Sequence, residues 1–479
     1  MGWFLEHGYI VPLIPAASFF LILFFGKRMP KKGAEIGLAA LGIALAMAVA
    51  TNVQWRDYVN DSEHAEEEAH AEEEGGGTAV APSGDEAEHE GEATAEGGEE
   101  AGEAHEEFEV VPIQKSWTWW QSGGVEFSVG MLLDGQSLMM LGVVTLISLL
   151  VHVYSTDYVG GDRRYTHYFA FLSLFTASML GLIMSENTLQ LLTCWELVGL
   201  CSFVLIGHWW EEKPNSDAAL KAFLTNRVGD VGLICGVIIL FFGADQSFDI
   251  LTINRMAVSG EISHLVLLVA SCSLLAAVMS KSGQFILHTW LPDAMAGPTP
   301  VSALIHAATM VVAGIFMVGR LYSVFFQGLS IGTSSVNALA VVGAVTVIGG
   351  AGLAFVQNDI KKVLAYSTVS QLGYMVMALG VGAWTAAMFH LFTHAMFKAG
   401  LFLGSGSVAH SVHSFDMKED MGGMKRFMPK TYWNFVICSA ALIGLFPLAG
   451  FWSKDEILAG AEQLGDGYIV FMVVGLVGR

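Results

Sequence analysis

Along most of this chain, apolar runs of about twenty residues alternate with short polar stretches. About thirteen such runs can be marked: 9–26, 33–53, 128–153, 167–185, 187–209, 221–243, 263–291, 299–326, 336–356, 361–380, 384–408, 431–459 and one from 467 onward. A helix rises 1.5 Å per residue, so roughly 20 apolar residues cross the hydrocarbon core of a bilayer. The pattern therefore predicts an all-α, polytopic membrane protein. The first run has no basic region before it and no small-residue cleavage site near its end, and Lys27, Arg28, Lys31 and Lys32 follow it. It reads as a retained helix, not a signal peptide.

Two runs are interrupted, and they lie five spans apart. Span 7 carries the polar string Ser280–Gln284 and ends at Trp290-Leu-Pro292-Asp293. Span 12 carries Gly444-Leu-Phe-Pro447-Leu-Ala-Gly450 ahead of Lys454 and Asp455. Breaks at matching places in two halves predict two inverted five-helix repeats, spans 4–8 and 9–13, each with a broken helix. Proline kinks that serve packing alone are the alternative. The chain then divides into N-terminal spans 1–2 (1–53), an insert (54–127), span 3 with a first half-channel (128–331), and a second half-channel (332–479).

Composition supports this reading and isolates the insert. Hydrophobic residues make up 53% of the chain and charged ones only 14%, with mean hydropathy +0.54, whereas soluble domains carry roughly 25% charged residues. The formal charge is nevertheless −22. Residues 57–109 account for it: they hold 21 Asp and Glu and no Lys or Arg, so the membrane body is close to neutral. There is no basic footprint for nucleic acid. With few bulky apolar residues, 54–110 is expected to be disordered. His64, His70, His89 and His105 among its acids suit at most a weak metal site; a solvated loop is the simpler reading. Cys194, Cys201, Cys235, Cys272 and Cys438 all fall in apolar runs without a CxxC pair, as core residues do. Basic loops mark the cytoplasmic side. Lys27–Lys32, Arg163–Arg164, Lys213 and Lys221, Lys361–Lys362 and Lys418–Lys430 follow spans 1, 3, 5, 9 and 11. This places the N-terminus and the acidic insert outside.

An ionisable side chain in hydrocarbon is costly unless it is paired or used. Lys281 lies deep in span 7, and Glu196 in span 5 is its natural partner. The proton affinity of such a lysine depends on how near the carboxylate stands, and one pKa unit corresponds to about 1.4 kcal/mol. The pair is thus a switch, or else a static bridge that sets helix register. His390, His394 and Lys398 stand at i, i+4 and i+8, on one face of span 11 over roughly 12 Å. They suit a proton relay near neutral pH; a His-x3-His zinc site has no obvious third ligand, and satisfied core histidines are the plain alternative. His306, among small residues of span 8, reads equally as packing or relay. Lys454 and Asp455 end span 12 as an interfacial pair or an exit gate. Arg227 and Asp230, near the cytoplasmic start of span 6, form a structural bridge or an entry funnel. Asp359 before Lys361 and Lys362 reads as a helix cap. The sequence holds no P-loop, GxGxxG after a strand, nucleophile elbow or haem motif, so no cofactor is expected in this chain.

Several strings converge on one family: His152-Val-Tyr-Ser-Thr-Asp157, Trp195-Glu196-Leu-Val-Gly-Leu, Asn226-Arg227-Val-Gly-Asp230, the run His288–Met310, Asp359-Ile-Lys-Lys-Val-Leu-Ala-Tyr-Ser-Thr and Phe451-Trp-Ser-Lys454-Asp455-Glu. Over about 128–458 the chain resembles the subunit L family of proton-pumping NADH:quinone oxidoreductase, respiratory complex I, called chain 5 in mitochondria. The resemblance implies an antiporter-like fold and a cell-membrane (or mitochondrial inner-membrane) location. The implied partners are the other complex I membrane subunits, especially the antiporter-like subunit M, with protons, internal waters and lipid. It also implies roles: Glu196 and Lys281 as the ion pair of the first half-channel, Asp230 as the input-side acid and His306 as the link to the centre. His390, His394 and Lys398 become the central relay, and Lys454 with Asp455 the outlet. The acidic insert is outside the family pattern. The chain also stops in its thirteenth span, where family members continue into further spans and a lateral helix, so either the sequence is a fragment or that lateral helix is absent. The large subunit of a multisubunit Na+/H+ antiporter shares the Glu–Lys logic and is the alternative. The strings at 226–230 and 208–219 favour complex I, and the retained axis residues argue against a non-transporting scaffold.

Overall fold

The computed structural model describes residues 2–75, 110–333, 336–463 and 468–478. Its helices are α1 (Trp3–Glu6), α2 (Ile10–Phe25), α3 (Ala34–Gly75), α4 (Gly135–Tyr158), α5 (Tyr165–Ile183), α6 (Thr188–Ile206), α7 (Lys213–Gly243), α8 (Ile250–Ser259), α9 (His264–Lys281) and α10 (Trp290–Asp293). They continue with α11 (Thr299–Ala303), α12 (Ala313–Arg320), α13 (Tyr322–Gly328), α14 (Ala338–Phe355), α15 (Ile360–Gly380), α16 (Trp384–Val412), α17 (Pro429–Ile443), α18 (Ala449–Gln463) and α19 (Ile469–Gly478). Among the described residues, 11 helices are long and apolar enough to cross a membrane, and α19 is a shorter apolar helix. The antiporter-like, all-α architecture is therefore the observed one.

Both predicted breaks are present. The first interrupts the chain between Lys281, the last residue of α9, and Trp290; the second separates α17 from α18 at 444–448. A third irregularity was not expected. Span 8 is split by a π turn, Leu304–Ala308, and a 3-10 turn, Met310–Val312, between α11 and α12. Such surplus-residue turns occur mostly at functional sites.

The inverted repeat has a local signature. Asn187 caps α6 with its side chain on Gln190 N–H, and its backbone bridges Asp249, beyond the end of α7. Thr188 N–H donates to Phe248 O (2.9 Å) and Ile250 N–H to Glu186 O (3.0 Å). Asp359 caps α15 and bridges Asp416, beyond the end of α16, by the same pair of bonds: Ile360 N–H to Phe415 O (3.0 Å) and Met417 N–H to Asn358 O (2.9 Å). Each half is thus latched in the same way.

Three boundaries depart from expectation. The acidic insert does not leave the helix at 54: α3 runs on to Gly75. Residues 76–109, with His89 and His105, lie outside the described residues, as does the side chain of His70. Residues 113–133 form an antiparallel hairpin, β1 (Ile113–Ser122) and β2 (Val125–Leu133), not part of the insert or of span 3. Gly123 and Gly124, both at positive φ (61° and 88°), make its two-residue turn, as the twist of paired strands favours. The hairpin rests on the end of α5 and the start of α6: Gly130 exchanges bonds with the Gln190 amide, and Ser116 donates to Glu186. Finally, α7 begins at Lys213, eight residues before the expected 221. Arg227 and Asp230 consequently sit in mid-helix, not near its start.

The N-terminal end of α4 is fixed by charge. Asp134 and Ser137 form a capping box, and Arg320 at the end of α12 pairs with Asp134 while reaching Ile183 O at 3.3 Å. Burial works to raise the Asp134 carboxyl, but Arg320 and the Ser137 bonds outweigh it and hold it below the usual carboxylate range. Stability from this group is therefore full above the unfolded value of about 3.9 and is lost as pH falls through the lower folded value. Asp134→Asn should cost about 1–3 kcal/mol at neutral pH; an unchanged melting midpoint of the purified protein would contradict this.

Candidate functional site

The first cluster is built where α6, α7 and α9 meet. Glycines bring α7 against α9: a Cβ on Gly232 would stand 2.4 Å from Ser273 O, so the backbones approach as small residues permit in membrane bundles. This closeness carries Asp230, itself buried, to 3.9 Å from the Lys281 ammonium. Lys281 also stands 5.2 Å from the Trp195 ring, and Trp195 Nε1–H donates to Asp230 at 2.6 Å. On the other side of α6, Glu196 pairs with Arg227, which lies 3.8 Å from Asp230.

The direct Glu196–Lys281 pair expected from the sequence is therefore replaced by a chain: Glu196, Arg227, Asp230, Lys281. Register explains the change. Arg227 and Asp230 are i, i+3 on one helix face, and the mid-helix position of Asp230 puts it, not Glu196, beside the end of α9. Lys281 is buried, while the Glu196 and Arg227 side chains are 25% and 39% exposed.

Beyond Lys281 the path crosses the break into the second half. Ser282 Oγ and Gln284 Oε1 are buried without a hydrogen-bond partner among the described residues, and so are both ring nitrogens of His306. His306 projects from the π turn, its ring centroid 6.0 Å from that of Trp290. One residue on, Ala307 O bonds His394 Nδ1 at 3.2 Å. That contact joins span 8 to α16.

On α16 the i, i+4, i+8 face is used as spaced. His394 and His390 have ring centroids 6.4 Å apart. His390 bonds Ser453 Oγ at 2.9 Å and Gln371 Oε1 at 3.2 Å. Lys398 is buried and donates to Ser367 Oγ and Leu364 O. Lys454, also buried, donates to Leu442 O at 2.7 Å, near the C-terminus of α17, and stands 5.2 Å from the Tyr374 ring. The negative end of that helix favours a cation.

Asp455 does not join this row. Successive residues of α18 point about 100° apart, so Lys454 is buried while Asp455 is exposed. Nor do the two end span 12; they lie inside its second half-helix. Sequence reading missed Trp195, which joins Lys281 to Asp230, and Gln371, Ser367 and Ser453, which bond His390 and Lys398. A polar run, Tyr366-Ser-Thr-Val-Ser-Gln371, inside an apolar span was the available signal.

Charge is unequal between the halves. Among the described residues the fully buried carboxylates are Glu186 and Asp230, against buried Lys281, Arg320, Lys361, Lys398 and Lys454. No carboxylate pairs with Lys398 among them. No group of three metal-type ligands occurs among the described residues.

Residues 185–478 match the family described as NADH:quinone oxidoreductase/Mrp antiporter, TM. The chain belongs to this family. Residues 119–169 match the N-terminus of NADH-ubiquinone oxidoreductase (complex I), chain 5. This antiporter-family chain is 48% identical over 356 residues to NAD(P)H-quinone oxidoreductase chain 5 of Picosynechococcus sp., covering 72% of its own length and 53% of the relative. It is 44% identical over 377 residues to the chloroplastic subunit 5 of Anthoceros angustus, covering 76% and 51%. It thus spans about half the length of the curated relatives it matches. Among solved structures, the Mrp complex from Dietzia sp. DQ12-45-1b superposes with TM-score 0.76 at 26% identity, over 98% of this chain and 45% of that one. The archaeal membrane-bound sulfane sulfur reductase does so with TM-score 0.77 at 19% identity, over 98% and 86%, a likeness of fold.

Proposed function

We propose that this chain is a subunit L (chain 5) type component of NADH:quinone oxidoreductase, and that it moves protons across the membrane without performing redox chemistry itself. The observation that carries this reading is the set of buried ionisable side chains Asp230, Lys281, His306, His394, His390 and Lys454, drawn from α7, α9, the π turn, α16 and α18. Orphaned atoms along it mark places for water, which extends the row where direct hydrogen bonds stop. The relatives' names support the assignment to the oxidoreductase.

On this reading quinone reduction in other subunits changes the charge beside Glu196, a partly exposed group facing the neighbouring subunit M. The change passes through Arg227 to Asp230 and loosens its hold on Lys281. Lys281 gives its proton towards His306 and His394; repulsion within the cationic second half then drives a proton out past Lys454. The basic-loop pattern puts the N-terminus and the insert on the outer face. A cavity of about 500 Å³ lined by Asp217, Lys221, Asp293 and Lys361 beside α10 supplies a hydrated approach from the cytoplasmic side.

The likeness to the Mrp complex favours one second reading, the large subunit of a multisubunit Na+/H+ antiporter. Two measurements separate them. The chain should co-purify with the remaining oxidoreductase subunits, and proton uptake by its membranes should follow quinone turnover. Glu196→Gln should reduce that uptake while quinone reduction continues. Uptake that ignores quinone turnover but follows a sodium gradient would establish the antiporter instead.

A further inference from the structure

A cavity of about 660 Å³ opens where the α2–α3 loop meets the start of α5 and the end of α6, and no member of the row described above lines it. Its basic wall is Lys27, Lys32, Arg163, Arg164 and His167, and no carboxylate lines it. The nearby acids lie outside the lining, and two of them hold the wall residues Arg164 and His208. Glu35 accepts from Lys31 N–H, Glu211 pairs with Arg164, and Asp162 holds His208 and the Trp209 indole. Among the described residues Lys27, Lys32 and Arg163 pair with no carboxylate. Three cations without an ion-pair partner around one concavity repel each other and create a field that an anion relieves.

Arg164 is a fixed wall rather than a free ligand: it pairs with Glu211, donates to His208 O and lies 4.8 Å over the Trp210 ring. The other wall is apolar, with Phe203 and Val204. The last turns of α2, immediately before Lys27, present Leu21, Phe24 and Phe25 outward, 46%, 68% and 51% exposed. A positive mouth thus adjoins a hydrocarbon-facing surface, and Trp210, 61% exposed, stands at the boundary, where amphipathic rings settle in membranes. The volume lies in the range of ligand pockets.

We propose that this cavity holds the phosphate of an anionic phospholipid, with Lys27, Lys32 and Arg163 on the phosphate and the α2 phenylalanines along the upper acyl chain. Identification of the leaflet as cytoplasmic, where anionic lipids attract basic segments, rests on the orientation proposed above; the site itself does not.

The test uses the delipidated, purified complex re-equilibrated with vesicles of phosphatidylcholine, with or without phosphatidylglycerol, and mass spectrometry of the lipid retained. Wild type should retain phosphatidylglycerol over phosphatidylcholine. Lys27→Gln/Lys32→Gln/Arg163→Gln should weaken retention about a hundredfold, from about fivefold per charge. Lys425→Gln/Arg426→Gln, on another basic loop, should leave it unchanged. Equal retention of phosphatidylcholine, or undiminished retention by the triple variant, overturns the proposal. Full displacement by an equal concentration of inorganic phosphate overturns it in favour of a free-phosphate site. Lipid retention is read without proton transport, so failure of this proposal and failure of the transport reading are distinguishable.

Discussion

Lys281→Ala should lower quinone-driven proton transport by at least about a hundredfold, the scale on which a positioned proton-transfer group acts, with the complex still assembled. Lys281 is buried, and its ammonium is held at 3.9 Å from Asp230 and 5.2 Å from Trp195. Alanine leaves Asp230 with Arg227 at 3.8 Å and the Trp195 indole, so the cluster keeps a counter-charge and the helices stay packed. Lys281→Arg separates charge from proton exchange. Guanidinium keeps the positive charge but does not release its proton in proteins, so this variant should also fail. Proton uptake in proteoliposomes of the assembled complex, normalised to quinone turnover, measures both. Normal stoichiometry in either variant would remove Lys281 from the path.

Lys398→Met should abolish transport and at the same time raise stability. The lysine is fully buried, and its partners are a hydroxyl and a carbonyl, not a carboxylate. Replacing even a paired buried charge and its partner with apolar side chains of similar volume is often neutral or stabilising by about 1–4 kcal/mol, and Lys398 has no counter-charge to lose. A group that costs stability and is still present is most simply a working group. The measurement is a melting midpoint of the purified complex beside proton uptake. A lowered midpoint with intact transport would make Lys398 a structural residue.

The contrast between the two lysines shows how far sequence carries. The breaks after Lys281 and before Ala449 were readable because proline, glycine and polar residues stand out in an apolar run. The α16 face was readable because helical spacing alone places His390, His394 and Lys398 on one side. Pairing was not readable in the same way. Whether Lys281 meets Glu196 or Asp230 depends on where α7 begins and how closely Gly229 and Gly232 let it approach α9. An eight-residue shift in one boundary, inside a stretch whose first turns carry Lys213, Asn215 and Asp217, decides it. Asp455 departs for a related reason: residues adjacent in sequence point about 100° apart on a helix and do not share a face. The β-hairpin was hidden by its neighbours, since the acidity of 57–109 coloured the reading of the Trp-rich strand that follows.

Most members of the row occupy the middle of their helices: Asp230 in α7, Glu196 in α6, His390, His394 and Lys398 in α16, His306 in the turn between α11 and α12. Lys281 and Lys454 flank the two breaks. Steps between helices in such a file run mainly along the sheet of lipid, and the run from His390 to Lys398 along α16 adds roughly 12 Å through it. Carrying a charge across the full membrane costs about 2.3 kcal/mol per 100 mV, but sideways travel at constant depth does almost no work against that voltage. The electrical back-pressure of an energised membrane therefore falls on the steps that link this file to the water on either face, and those steps set how turnover responds to membrane potential.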